Sequence, residues 1–313
     1  MKYQRVTTHL AETMSKLDVD KAMRDDYAKC ILADPQILAD IVKVIVPEFR
    51  EYSIKYIIPC IGETIVSLTV PEKLCIKIES DGTEDIDIED GKIIYDIRFP
   101  LYYNNRTIKI LVNVEAQKSI SYTKLGYHIE SRMVYYMARL VSSQKNVEFI
   151  KSNYDDIKDV YSIWICMDTE ADEDSIIELG LQPRVIYGNT SWLPQRSIMN
   201  GAVIRIRSRA DVEESKNKLI AMLEVLFSCR ARQDKMNRLE EYGLEMTTEL
   251  EGCVNDMCNI SDLLVEESEE RGEKQARLDS IRTLMRKLNQ TAEEAMDTLD
   301  IEEKDRETYR KLL

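Results

Sequence analysis

The chain has 313 residues, 44% of them hydrophobic and 32% charged, enough to bury the core of one or two globular domains. Its 43 basic and 57 acidic residues leave a net charge of −14, which argues against a protein that coats nucleic acid by charge alone. No apolar run approaches the length of a membrane span, and Met1 to Lys16 lacks the apolar core of a secretory signal, so a cytoplasmic protein is expected. Seven cysteines at irregular spacing suggest buried thiols rather than a disulfide framework or a zinc cage.

From about Asp20 to Phe49 the apolar positions Ile31, Leu32, Ile37, Leu38, Ile41, Val42 and Ile45 predict a helical stripe, interrupted near Pro35. The acidic stretch Glu79 to Asp90 reads as a solvated loop. Two strands follow, Lys92 to Tyr103 and Arg106 to Lys118, with a hairpin turn around Asn104-Asn105. Lys124 to Gln144 has helical periodicity, and Asp159 to Met167 reads as a continuous buried strand. Asp168 to Gly180 is acidic and without pattern. A strand is predicted over Ala202 to Arg207, then an amphipathic helix capped by Asp211 and ending near Cys229. The rest is helical and highly charged, with a capping box at Thr291-Ala-Glu-Glu294. Core elements therefore run helix, strands, helix, strand, an α/β order.

Side chains alternate along a strand, so Asn113, Glu115 and Gln117 share one face while Val114 and Ala116 join Ile108, Ile110 and Val112 on the other. Folding back at Asn104-Asn105 brings Asp96 beside Glu115. Two carboxylates and an amide then converge, a donor set for a hard cation.

These residues carry a resemblance to the PD-(D/E)XK nuclease superfamily, and more narrowly to the bacterial recombination-promoting nucleases and putative transposases. DGKIIYDIRF (90–99) holds Asp96, and ILVNVEAQK (110–118) holds a Glu-x-Gln half-motif in which Gln117 stands where the superfamily usually has lysine. SRMVYYMARLVSSQ (131–144), VYSIWICM (160–167) and the tail segments 240–261 and 284–301 are also similar to that family. The resemblance implies a restriction-endonuclease-like core, a mixed sheet flanked by helices over residues 1–229, and a helical C-terminal region over 230–313. It implies metal-assisted cleavage of a DNA phosphodiester, with Asp96, Glu115 and the Ala116 carbonyl on Mg²⁺ (Mn²⁺ substituting) and Gln117 orienting water or a phosphate oxygen. Glu48 and Glu63 are candidates for a further acidic ligand, and Lys118 points away from Gln117.

Other residues carry weaker expectations. Arg132 and Arg139, seven residues apart on one helix, are read either as phosphate contacts, with Gln144 one turn beyond, or as an exposed salt-bridged face. Arg205, Arg207 and Arg209 alternate on one strand face, a DNA-guiding patch or a solvated edge strand. His128 is expected at a packed or surface position, Trp164 in the core and Trp192 in loop packing. The stripe Leu278, Ile281, Leu284, Met285 and Leu288 is expected to pack on the following short helices or on another copy of the chain, giving a homo-oligomer. Two further functions fit the same residues: a non-catalytic interaction scaffold, and a metal-dependent nuclease acting on RNA or a nucleotide.

Overall fold

A computed structural model of the chain describes residues 25–67, 84–87, 91–103, 108–117, 120–169, 173–193, 196–207, 215–227, 231–288 and 290–301, with 306, 309, 310 and 313. The turn at Asn104-Asn105, Asp211, Arg209 and Lys118 lie outside the described residues.

Residues 25–32 are helical, and Asp34 then caps α1 (Pro35–Ile45) by accepting from the Gln36 N–H at 2.8 Å. Proline at the first helical position lacks only an N–H that would have had no partner, so Pro35 starts the helix rather than merely interrupting one. A short helix α2 (Ile54–Ile57) leads to strand β1 (Ile65–Val66). Strands β2 (Glu84–Asp87) and β3 (Gly91–Ile94) pair with each other, so this part of the acidic stretch is a strand and not the expected loop.

The main sheet contains β1, β4 (Ile97–Tyr103), β5 (Ile108–Gln117), β6 (Asp159–Thr169), β7 (Ser175–Gly180) and β8 (Met199–Arg207), in the order β1-β4-β5-β6-β8-β7. It is mixed: β5, β6 and β8 run parallel, and antiparallel strands flank them. The single strand expected over Lys92 to Tyr103 is divided at Tyr95-Asp96, with β3 in the small sheet and β4 in the large one. Strand β7 was not legible as a strand, because its exposed and half-buried positions do not alternate.

Between β5 and β6 lie α3 (Tyr122–Leu125) and α4 (Ile129–Ser142), separated at Gly126, whose φ of 76° a side chain would oppose. Tyr95, Leu111, Trp164, Cys166 and Val203 pack against Ile129, Met133, Tyr136, Met137 and Leu140 of α4. A Cβ on Gly201 would sit 2.5 Å from the Met133 sulfur, so this glycine lets α4 approach the sheet. On the opposite face, Ile97, Phe99, Leu101, Val112, Val114, Ile163, Ile165 and Ile204 are buried, α5 (Lys218–Phe227) packs on β8, and α1 packs on α5. Asn217 caps α5, accepting from the Leu219 and Ile220 N–H groups at 3.0 and 3.2 Å, the role expected of Asp211.

Helices α6 (Arg232–Glu241), α7 (Thr248–Leu288) and α8 (Ala292–Thr298) follow. Two compact units divide between Cys258 and Asn259, within α7. The composition boundary at 229/230 therefore differs from the packing boundary: α6 and the start of α7 belong to the first unit. In the second unit, Leu278 and Ile281 pack with Ala295, Met296, Ile301 and Tyr309, as the stripe predicts for the following helices, although Leu288 is exposed. The Thr291–Glu294 capping box is present. Among the described residues no helix is long and apolar enough to cross a membrane.

Candidate functional site: an acidic pair with its own lysine

The β4–β5 register, Ile97 opposite Val114, sets Asp96 beside Glu115. The two residues hold each other through backbone amides: the Asp96 N–H donates to Glu115 Oε1 at 3.1 Å, and the Ala116 N–H donates to Asp96 Oδ2 at 3.0 Å. The break before β4 permits this arrangement. Tyr95 turns toward α4, where its ring meets Tyr136 edge-on at 5.3 Å, and the Asp96 N–H is left for a side chain rather than a strand neighbour.

The other Asp96 oxygen, Oδ1, is 3.1 Å from Lys29 Nζ, which reaches over from helical residues 25–32 and also donates to the Ser67 carbonyl at 3.2 Å. Ser67 in turn donates its N–H to the Asp96 carbonyl at 2.9 Å, so β1, β4 and the N-terminal helix are fastened at one residue. Burial by itself would lower the Lys29 pKa, but Asp96, with Asp26 and Asp25, outweighs it and the net shift is upward. The ammonium is therefore a fixed charge at neutral pH. Sequence reading missed Lys29; its one signal was an Asp-Asp-x-x-Lys spacing that puts both aspartates one turn from the lysine.

Glu115 lies opposite Trp164 in β6 and is only 3% exposed. Above them, Arg132 donates to the Tyr136 hydroxyl at 2.6 Å and to the Tyr127 hydroxyl at 2.7 Å, with its guanidinium 5.3 Å from the Trp164 ring centre. Burial raises the Tyr136 pKa and Glu115 adds to it, against Arg132. Arg132 is raised too: its tyrosine contacts exceed the cost of its burial. The arginine is thus sequestered among aromatics rather than displayed on a salt-bridged surface.

Gln117 pairs with Cys166, and its side chain lies outside the described positions. Cys166 faces half-buried Arg205, whose buried Nε has no hydrogen-bond partner among the described residues, and Arg205 faces Ser175. Gln117, Cys166 and Arg205 are register partners at the end of the parallel strands. Arg207 is engaged by Glu224 at 3.0 Å. Since β8 lies between β6 and β7, Arg205 is not on an edge strand, whereas Arg207 lies beyond the residues that β7 pairs.

The remaining candidates lie elsewhere. Gln144 is 1% exposed and clamps Lys158, its amide donating to the carbonyl at 3.0 Å and accepting from the N–H at 2.7 Å. Lys158 precedes Trp164 by six residues, about 20 Å of strand, so Gln144 marks the opposite end of the sheet. Buried Arg139 sits about 10 Å along α4 from Arg132 in that direction. Glu48 is exposed and acts on Tyr161 and Tyr103, toward the far end of β4. Exposed Glu63 follows Gly62, whose N–H donates to the Pro100 carbonyl at 2.8 Å, and so lies along the sheet edge. His128 is exposed at the start of α4, Trp164 is fully buried with its Nε1 donating to Ser162 at 2.9 Å, and Trp192 is 75% exposed instead of packed.

The convergent donors are carboxylate oxygens, which suit a hard cation. Among the described residues no three His, Cys, Asp or Glu side chains gather as a metal group. That disfavours a closed protein cage but suits Mg²⁺, which is commonly held by one or two carboxylates with waters and substrate phosphates. Compared with family models, with curated proteins and with solved structures, the chain matches none.

Proposed function

We propose that the chain is a Mg²⁺-dependent endodeoxyribonuclease of the PD-(D/E)XK type, akin to recombination-promoting nucleases. The observation that carries this reading is the Asp96–Glu115 pair, locked by reciprocal amide contacts with Lys29 on its outer oxygen. Asp96, Glu115 and the Ala116 carbonyl would hold the ion. When bound, Mg²⁺ supplies Lewis acidity: it lowers the pKa of a coordinated water and offsets charge developing on the phosphate. Gln117 orients the water or a phosphate oxygen but brings no charge. Lys29 brings that charge from another element, and it has three N–H groups to share between Asp96, Ser67 and a substrate oxygen. The amides of Asp96 and Ala116 fix the two carboxylates, so little reorganisation is needed as the phosphodiester reacts.

Purified protein is expected to nick supercoiled plasmid with Mg²⁺ or Mn²⁺, and Asp96→Ala and Glu115→Ala to abolish nicking. Metal-independent nicking, or nicking retained in both variants, would refute the assignment. Matched RNA substrates test whether DNA is preferred.

A non-catalytic scaffold is the second reading. It draws on the same lysine, which already neutralises Asp96 without any ion. Absence of both cleavage and calorimetric metal binding in the unsubstituted protein would favour it.

A further inference from the structure

The connection from β7 to β8 carries large apolar side chains out into solvent. Leu181 is 69% exposed, Ile186 86%, Tyr187 97% and Trp192 75%, with Val185 and Leu193 at 44% each. Residues 181–193 contain neither helix nor strand, and so long an irregular stretch is uncommon in a compact domain unless it has a function. It continues directly from β7, an outer strand of the main sheet, whose outer edge has no strand partner among the described residues. Ile177, at the middle of β7, is itself 45% exposed. Edge strands are ordinarily guarded by charged side chains, proline or a bulge; Ser175–Gly180 has no proline, carries Glu178 as its one charge and pairs with β8 in unbroken register.

We infer that β7 and the loop 181–193 form an interface with a second copy of this chain, the two β7 strands pairing antiparallel about a two-fold axis. An antiparallel edge is self-complementary under such an axis. Centred on Ile177, the pairing sets Ile177 against itself, Glu178 against Ile176 and Leu179 against Ser175, so no like charges oppose. The area is sufficient. Tyr187 and Trp192 alone present on the order of 400 Å². The aliphatic residues roughly double that, reaching the ~800 Å² per partner of a standard interface. Nucleic acid is disfavoured as the occupant, because Arg184 is the one charged residue in the loop and phosphate backbones are held by several cations. This interface is independent of the nuclease reading and of the C-terminal helices.

The test is light scattering coupled to gel filtration on the full chain at micromolar concentration, with circular dichroism to confirm folding. A dimer is expected. Ile177→Lys and, separately, the pair Tyr187→Ser with Trp192→Ser should each weaken it by tenfold or more, while Val134→Lys, on the exposed face of α4, should leave it intact. A monomeric parent protein, or a dimer that survives both the strand and the loop variants, overturns the inference. Equal loss in Val134→Lys would also count against it. The loop pair keeps the test decisive if lysine in the strand impairs folding.

Discussion

Lys29 is the residue on which the candidate site turns. Its side chain and that of Asp96 are 15% and 19% exposed, so solvent screens the pair only in part. Lys29→Met is expected to cost about 2 kcal/mol, the scale of a hydrogen bond to a charged group, read as a lower urea midpoint. On the proposed nuclease reading it should also slow plasmid nicking, and Lys29→Met with Gln117→Lys should recover part of the rate while leaving the stability loss. No recovery would mean that Lys29 acts through the fold alone. A second residue-scale prediction concerns alkali. Burial pushes the Cys30 and Cys166 thiols from 9.0 up to about 12, and Tyr27 from 10.0 to about 12. A raised folded pKa means the folded state keeps a proton that the unfolded chain has lost, so this stability is complete below pH 9 and disappears as pH rises toward 12. The melting temperature should fall more steeply from pH 9 upward than between pH 7 and 9, and Cys30→Ala should soften that fall.

Among the elements, α4 is held at both ends by different chemistry. Arg132 and its tyrosines secure the end near Glu115, while Gln144 grips the Lys158 backbone beyond the other. Gln144→Ala should cost about 2–3 kcal/mol through two lost bonds and the unpaired backbone groups left behind, measured by urea unfolding; on the nuclease reading, cleavage per folded molecule should be unchanged. The central elements were legible because strand and helix periods differ: β5, β6, α1 and α4 show in the chain as period two, a continuous apolar run or a helical stripe. The Asp96–Glu115 approach followed from β alternation and one turn. The clamp that Gln144 makes on Lys158 could not be read, because helical spacing gives a direction around the axis but not what lies beyond it. Lys29 and β7 were hidden for another reason. Lys29 meets Asp96 across 67 positions of chain, and β7 acquires its identity only by pairing with β8.

At the scale of the molecule, the two compact units make separate predictions. Ile281 is fully buried in the second unit among Leu278, Ala295 and Met296. Ile281→Ala should cost about 2–5 kcal/mol, and hydrogen exchange should show lost protection within residues 259–313 and unchanged protection in β5 and β6. Exchange lost equally across the main sheet would show that the units unfold as one.

The division of the expected strand at Tyr95-Asp96 has a mechanical sense. β3 is anchored in the small sheet and β4 in the large one, and Asp96 lies at the joint between them. Its N–H, which Glu115 accepts, therefore answers to both sheets. A displacement of β3 relative to β4 is therefore met first at Asp96, where the chain passes from one sheet to the other.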